Sequence, residues 1–467
     1  MADRRLRLLA IFLAATLVLA QGCARNPDPV NSSRDNPTRD NPTRDNPARD
    51  NPASRDPSKL NVLFITLDDL NTSLGTYGHP AVKSPNIDRL ARRGIRFDRA
   101  YAQFSLCNPS RTSFMSGRRP ETTGVLKNSD RVRTKLKETE FLPEYFSRNG
   151  YFTAAVGKVM HDRVPNDLKW DVFEGPAQVG GVADEKQCGG HWWCATDNKD
   201  EDEQDGRVAR RIIQLIDQNR DKPFFIAAGF TRPHAPYHAP RKYFDLYPPE
   251  TIPMPDPDPV DQTTDEDKRL SRAGYYACVS FVDAQIGLIL DELERSGLAA
   301  NTVIVFTSDH GYHLGEHGIW DKKTLYEESV RVPLIVVAPD RQPGASSRRL
   351  VELVDLYPTL TELCGLPAPE GLEGTSFVPL LTDPARPWKA AVFCLTIKSK
   401  KSPLFRSVRT DRYVYVEGAD SDPDELYDHQ TDPKEMKNLA RDPQHRKTVA
   451  EMKRLLEQGW RASVPPA

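Results

Sequence analysis

Apolar positions in this chain gather into short, dense, β-branched runs separated by amphipathic stretches. Asn61-Val62-Leu63-Phe64-Ile65-Thr66-Leu67 is the first such run, the pattern of a strand covered on both faces. Thr153-Ala154-Ala155-Val156, Pro223 to Ala228, Thr302 to Thr307 and Pro333 to Ala338 repeat it. Between them, Phe141 to Asn149, Arg207 to Gln218 and Tyr275 to Ser296 have helical periodicity, and Gly297 supplies a stop for the last. Strands alternating with helices predict an α/β domain: a large, mixed, mostly parallel sheet flanked by helices. Functional groups belong at the carboxyl ends of such strands. After about Pro379 the runs shorten. Val392-Phe393, Phe405 to Val408 and Arg412 to Val416 predict antiparallel strands, and residues 446 to 460 predict a terminal helix.

The amino-terminal pattern is of another kind. Arg4, Arg5 and Arg7 precede an apolar stretch, Leu8 to Ala20, too short for a stable membrane span. Leu19-Ala20-Gln21-Gly22-Cys23 then resembles a bacterial lipoprotein signal, with Cys23 as the lipidated residue; simple cleavage and release is the rival. From Arg34 to Pro57 the chain repeats Arg-Asp-Asn-Pro with Thr or Ala between copies, which predicts a disordered, extended spacer. The expectation is an exported protein, periplasmic or on the cell surface, held to a membrane by a lipid anchor.

Charge narrows the function classes. The 467 residues include 64 basic and 66 acidic side chains, for a net charge of -2. This gives no argument for nucleic-acid binding, and any anion recognition must be local. Of seven cysteines, Cys188 and Cys194 bracket Gly-Gly-His-Trp-Trp and read as a short-loop disulfide in an exported chain. Cys278, Cys364 and Cys394 sit in apolar surroundings and read as buried thiols. The acidic run Asp197 to Asp205 reads as a solvated loop.

The candidate chemistry lies at strand ends. The first apolar run ends in Asp68-Asp69 and a later one in Ser308-Asp309-His310. Paired acids there suit a hard cation; helix capping by Asp is the alternative. The most specific segment is Cys107-Asn108-Pro109-Ser110-Arg111-Thr112-Ser113-Phe114-Met115-Ser116-Gly117-Arg118-Arg119. Pro109 fits a first helical turn, so Cys107 falls at the positive end of a helix, where a depressed thiol pKa is expected. Arg111, about one turn on, is placed to reach back to the same atom. Gly157-Lys158-Val159-Met160-His161 and Thr231-Arg232-Pro233-His234-Ala235-Pro236-Tyr237 each follow a strand, and Asp321-Lys322-Lys323-Thr324-Leu325-Tyr326-Glu327 precedes another.

Together these segments resemble the type I, formylglycine-dependent sulfatases of the alkaline phosphatase superfamily, over most of residues 60 to 440. The resemblance implies that Cys107 is oxidised to formylglycine by a formylglycine-generating enzyme. It implies a divalent metal, most often Ca²⁺, held by Asp68, Asp69, Asp309, His310 and residue 107. His310 stands where many relatives have asparagine, a variant of the iduronate-2-sulfatase-like branch; imidazole also suits softer ions. The Cys188 to Cys194 segment and Ser308-Asp-His-Gly-Tyr-His-Leu-Gly-Glu-His317 resemble that branch too. In the implied mechanism Arg111 favours ionisation of the hydrate, Lys158 and Lys322 take sulfate oxygens, His161 orients or deprotonates the hydrate, and His234 protonates the departing alcohol. Lys323, by the same register, is solvated. His191, Trp192 and Trp193 are placed either to stack on a sugar ring or to pack as core. The implied organisation is an export signal over 1–23, a linker over 24–58, a catalytic domain over 59–380 and a subdomain of antiparallel sheet plus helix over 381–467.

The expected activity is hydrolysis of sulfate esters on a sulfated carbohydrate, with a 2-O-sulfated uronate as one candidate, in sulfated polysaccharide degradation. The rival enzyme is a formylglycine-dependent phosphodiesterase or phosphonate hydrolase. From another class comes a catalytically inactive, lipid-anchored protein that binds sulfated glycans, and a plain structural α/β domain leaves the acidic strand ends unexplained.

Overall fold

The computed structural model describes residues 59–161, 168–180, 192–259, 261–398, 404–419 and 422–465. Cys23, the 24–58 segment, Cys188 and His191 lie outside the described residues. In chain order the elements used below are β1 (Asn61–Asp68), α1 (Pro85–Arg93), β2 (Ile95–Tyr101), α2 (Cys107–Ser116), α3 (Leu142–Arg148), β3 (Phe152–Gly157), β4 (Val172–Glu174), β5 (Trp193–Thr196), α4 (Gln204–Gln218), β6 (Phe224–Pro233) and β7 (Tyr237–Pro240). They continue with α5 (Asp265–Arg295), β8 (Thr302–Ser308), β9 (Arg331–Val337), β10 (Ala345–Ser347), β11 (Val351–Glu352), α6 (Leu356–Leu363), β12 (Val392–Thr396), β13 (Phe405–Arg409), β14 (Tyr413–Glu417), β15 (Glu425–Asp428) and α7 (Arg446–Gln458).

The large sheet runs β10-β2-β9-β8-β1-β6-β3-β4, with β11 also on β2. Its centre is parallel: β1 pairs with both β8 and β6, and β6 with β3. All eight residues of β1 are buried. Because side chains alternate along a strand, Leu63, Ile65 and Leu67 enter one core with α4 and α5, and Val62 and Phe64 enter the other with α2, α3 and α6. That two-sided burial is why the strand reads as a continuous apolar run rather than an alternating one. The second sheet, β12-β13-β14-β15, is antiparallel and covered by α7 through Tyr415, Leu426, Met452 and Leu456.

Several boundaries differ from the sequence reading. Helix α5 begins at Asp265, ten residues before the expected Tyr275, because its first turns are polar and are started by Thr264, whose side chain accepts from Asp267 N. Strand β9 belongs to the sheet but runs antiparallel to β8 and β2. Strand β2 was not visible as an apolar run, since Arg96, Asp98 and Arg99 interrupt it. Strand β6 extends five residues past Ala228 to Pro233, reaching the residue paired with Asp68.

Candidate active site

The site forms where four carboxyl-terminal strand ends lie side by side. Register sets Leu67 of β1 beside Ser308 of β8, Asp68 beside Pro233 of β6, and Gly229 of β6 beside Gly157 of β3. Asp68 and Asp69, Asp309 and His310, His234 and Lys158 are thereby delivered to one place. The approach of β3 to β6 needs glycine. Gly157 has φ +78° and a Cβ there would lie 2.1 Å from Gly229 O, while a Cβ on Gly229 would lie 2.2 Å from the Lys158 carbonyl carbon. Lys158 N donates to Gly229 O at 2.8 Å, which fixes where the lysine leaves the sheet.

Helix α2 is buried along its whole length and begins at Cys107. Its approach segment is braced by the second sheet. Leu395 N donates to Gln103 O at 2.9 Å, and Ser105 Oγ donates to Thr396 Oγ1 at 2.7 Å. Cys107 Sγ lies 3.4 Å from Asp68 Oδ1 and 3.3 Å from His310 Nε2. The expected low thiol pKa is not found. Burial first, and then the Asp68 carboxylate, push the unmodified thiol well above its ordinary value, against the pull of Lys322 and Lys158.

Arg111 interacts with Cys107 electrostatically, but its hydrogen bonds tie the strand ends together. Its Nε donates to Asp309 Oδ2 at 2.9 Å, and its Nη2 lies 3.6 Å from Asp68 Oδ1 and donates to Leu67 O at 3.3 Å. Its Nη1 donates to the carbonyls of Lys158 and Val159. Lys158 Nζ pairs with Asp68 Oδ2. Lys322 Nζ sits 2.8 Å from both Asp69 oxygens, whereas Lys323 points to Asp321 at 3.0 Å. Lys322 returns to the site because its loop folds back on itself: Tyr312 Oη donates to Trp320 O at 2.8 Å and His313 N to Asp321 O at 3.1 Å. Asp69 and Lys323 both have left-handed φ, +66° and +63°, uncommon for residues with a side chain.

Electrostatics follow from this packing. Burial opposes the Asp68 carboxylate, yet Lys158, His234, Arg111 and Lys322 hold it well below the usual range. Burial pushes Asp69 and Asp309 up, against the pull of Lys322 and Arg111. His234 is lowered to about 3 by burial and then by Lys322. Its Nδ1 lies 2.6 Å from Ala235 O and must donate there, so Nε2, 3.8 Å from Asp69 Oδ2, is the atom that faces the site. His161 is buried just past β3.

The donor set fits a divalent cation. One ligand atom from each of Asp68, Cys107, Asp309 and His310 can be chosen so that all lie within 4.8 Å of one another. His310 Nδ1 donates to Gly311 O at 2.9 Å, which leaves Nε2 as the ligand nitrogen, the outer hydrogen bond common to metal-binding histidines. Asp69 stands beside this group rather than in it, with Asp68 and His234 in an adjoining cluster.

Two readings of the 192–205 region are revised or resolved. Trp192 is 48 % exposed, while Trp193 packs against the core. Trp192 O accepts from Tyr237 N at 2.6 Å, which places it next to the His234 loop. Cys194 is disulfide-bonded. The acidic run is not a solvated loop throughout. Glu203 and Asp205 are buried, and Asp205 accepts from Thr231 N at 2.9 Å and Arg232 N at 2.8 Å, bracing the turn into His234. Sequence reasoning missed Asp205 because its neighbours are acidic and the helix was expected from Arg207; the structure starts it at Gln204, which puts Asp205 in its first turn.

Comparison with known proteins agrees with this geometry. The sulfatase family profile matches residues 60–366, and that of the N-sulphoglucosamine sulphohydrolase C-terminal region matches 315–461. The chain is 33% identical to a sulfatase of Formosa agariphila, over 85% of this chain and 86% of that one. It is 35% identical to the iduronate 2-sulfatase of Homo sapiens, over 68% of this chain and 71% of that one. The phosphonate monoester hydrolase of Agrobacterium radiobacter shares the fold, with a TM-score of 0.76 at 24% identity, covering 86% of this chain and 96% of that one. The acidic strand ends, the buried cysteine and the three cations around them all fall inside the matched stretch, and the chain belongs to the sulfatase family.

Proposed function

We propose that this protein hydrolyses sulfate esters on a sulfated carbohydrate, with residue 107 matured to formylglycine and a divalent metal, Ca²⁺ first among candidates, beside it. The observation that supports this best is the convergence of Cys107, Asp68, Asp309 and His310 with Arg111, Lys158 and Lys322 packed around them. Formylglycine would supply a hydrated aldehyde as nucleophile, and a metal held by Asp68, Asp309, His310 and residue 107, with Asp69 adjoining, would supply positive charge to anionic oxygens.

The chain's own residues do the rest. Arg111 neutralises Asp68 and Asp309 and fixes their spacing with a fork that lysine lacks. Lys158 and Lys322, now on Asp68 and Asp69, would turn their ammonium groups to the sulfate oxygens. His161 orients residue 107. His234 presents Nε2 to the leaving oxygen; burial keeps it neutral in the free protein, and an arriving anion would raise its proton affinity. Trp192, exposed beside the His234 loop, would stack on a sugar ring. The 35% identity to a human iduronate 2-sulfatase supports the iduronate-2-sulfatase-like branch, with a 2-O-sulfated uronate as one candidate. The amino-terminal pattern supports export and a lipid anchor at Cys23, with 24–58 as the tether.

The test is mass spectrometry of the peptide spanning residue 107, from protein made with and without a formylglycine-generating enzyme, paired with sulfate release. An aldehyde that appears only with that enzyme, together with turnover, is the expected result. A persistent thiol would count against it. The shared fold with a phosphonate hydrolase makes a rate comparison on aryl sulfate and aryl phosphodiester the second measurement.

A further inference from the structure

A charged cavity of about 670 Å³ lies in the seam between the two sheets. Its walls include Arg96 and Arg99 of β2, Arg331 at the start of β9, Arg348, and Arg412 in the turn between β13 and β14. Three acids, Asp98, Glu327 and Asp411, line it as well. Five guanidinium groups around one opening are unexpected in a chain whose net charge is -2.

Acids and backbone carbonyls hold four of the arginines in place without saturating them. Arg96 Nε pairs with Asp98 at 2.8 Å, and its guanidinium lies 5.4 Å from the Tyr77 ring centroid. Arg99 pairs with Asp411 at 2.7 Å and donates to Thr410 O at 2.7 Å. Arg412 is held by both Asp428 oxygens, at 2.9 and 2.7 Å. Arg331 donates to Asp98 O at 2.8 Å but is 3.9 Å from Glu327. Arg348 is exposed, with no acid in ion-pair range among the described residues. A guanidinium has five N–H donors, so each side chain keeps some for a ligand while its position is fixed. Planar forks held at several separate points around one opening suit repeated anionic groups on one extended chain better than a single small anion.

We infer that this cleft is a docking site for a sulfated glycan chain, distinct from the reacting atoms. The inference rests on the reading of the substrate as a sulfated carbohydrate, and it adds that the substrate is polymeric and is gripped away from the bond that breaks. Tyr101 and Arg331 pair across β2 and β9, so the cleft lies on the opposite side of β9 from β8 and Asp309. A bound chain would raise the local concentration of sulfate esters near the site.

The experiment compares wild type with Arg348→Gln/Arg412→Gln, using full-length matured protein. Binding to immobilised, size-fractionated dextran sulfate is measured across a salt series, and turnover of a small aryl sulfate is measured alongside. The expected variant binds about tenfold more weakly at low salt, with the slope of log affinity against log salt reduced by about 2, one per charge removed. Its aryl sulfate turnover matches wild type. Arg348→Gln alone, which breaks no ion pair, should show about half the change in slope and guards against misfolding of the double variant. Absent binding by wild type, or equal binding by the variants, overturns the inference. Equal affinity for single-stranded DNA of matched charge overturns the glycan assignment. Chain binding that the variants weaken, without aryl sulfate turnover by wild type, supports the cleft and counts against the catalytic reading.

Discussion

Asp205 offers a quantitative test of how the scaffold aims His234. Its carboxylate is buried and accepts the backbone N–H groups of Thr231 and Arg232 at 2.9 and 2.8 Å. Thr231 O in turn accepts from His234 N at 3.0 Å, and Arg232 Nη1 donates to His234 O at 3.1 Å. Asp205→Ala would strand two half-buried donors. Each costs about 1–3 kcal/mol when left unmade, so the expected loss of stability is about 2–6 kcal/mol by denaturant unfolding. Asp205→Asn keeps one acceptor oxygen and should lose about half as much. Turnover provides the sharper readout. If His234 gives a proton to the leaving alcohol, misplacing it should slow aryl sulfates with poor leaving groups far more than those with good ones, steepening the dependence of kcat on leaving-group pKa. A variant that loses stability while its leaving-group dependence stays at the wild-type slope would refute the link from Asp205 to His234.

Three other outcomes are expected. Arg111→Lys should lose at least about a hundredfold in kcat and about 3–5 kcal/mol in stability, because lysine cannot span Asp309, Asp68 and three carbonyls; near-normal kinetics would remove Arg111 from the positioning role. Prolonged chelation should abolish sulfate release and added Ca²⁺ should restore it, read by activity together with metal analysis of the dialysed protein; full activity in metal-free protein would contradict the donor-set reading. Burial opposes ionisation of Glu435, but Arg409 and His429 hold its carboxyl down at about 2 against an ordinary 4.5. A depressed carboxyl stabilises the folded state above the unfolded pKa and loses that contribution as pH falls, so stability from this cluster should decline between about pH 5 and 2. Arg409→Met, which leaves the buried Glu435 and the half-buried Glu327 without their guanidinium, should destabilise by about 3–5 kcal/mol at pH 7 and flatten that acid limb. An unchanged acid limb would show that the cluster does not set it.

What was legible in the sequence, and what was not, divides along physical lines. Strands buried on both faces, such as β1 and β8, announce themselves because their central residues are almost all apolar. The acids at their ends stand out for the same reason: Asp68 and Asp309 interrupt runs that otherwise exclude charge. Strand β2 is the converse case. It lies toward the edge of the sheet, so Arg96, Asp98 and Arg99 are tolerated, and those same residues form the arginine cleft that no motif signalled. Spacing chose Lys322 over Lys323 because both candidates lay in one short segment, but only the folded loop shows why, by setting Lys322 on Asp69. The Cys107 thiol reverses its expected pKa because a helix end is a local property, whereas burial beside Asp68 depends on a residue 39 positions away. Asp205 fails for a related reason: one buried carboxylate in an acidic run looks like its solvated neighbours until its backbone partners, 26 and 27 residues on, are known. Local chemistry therefore reads well from sequence when the surroundings are uniform, as in a buried parallel strand. It reads poorly when one distant group decides between an ionised surface residue and a buried acceptor, which is the distinction that the Asp205 and Arg111 variants are built to measure.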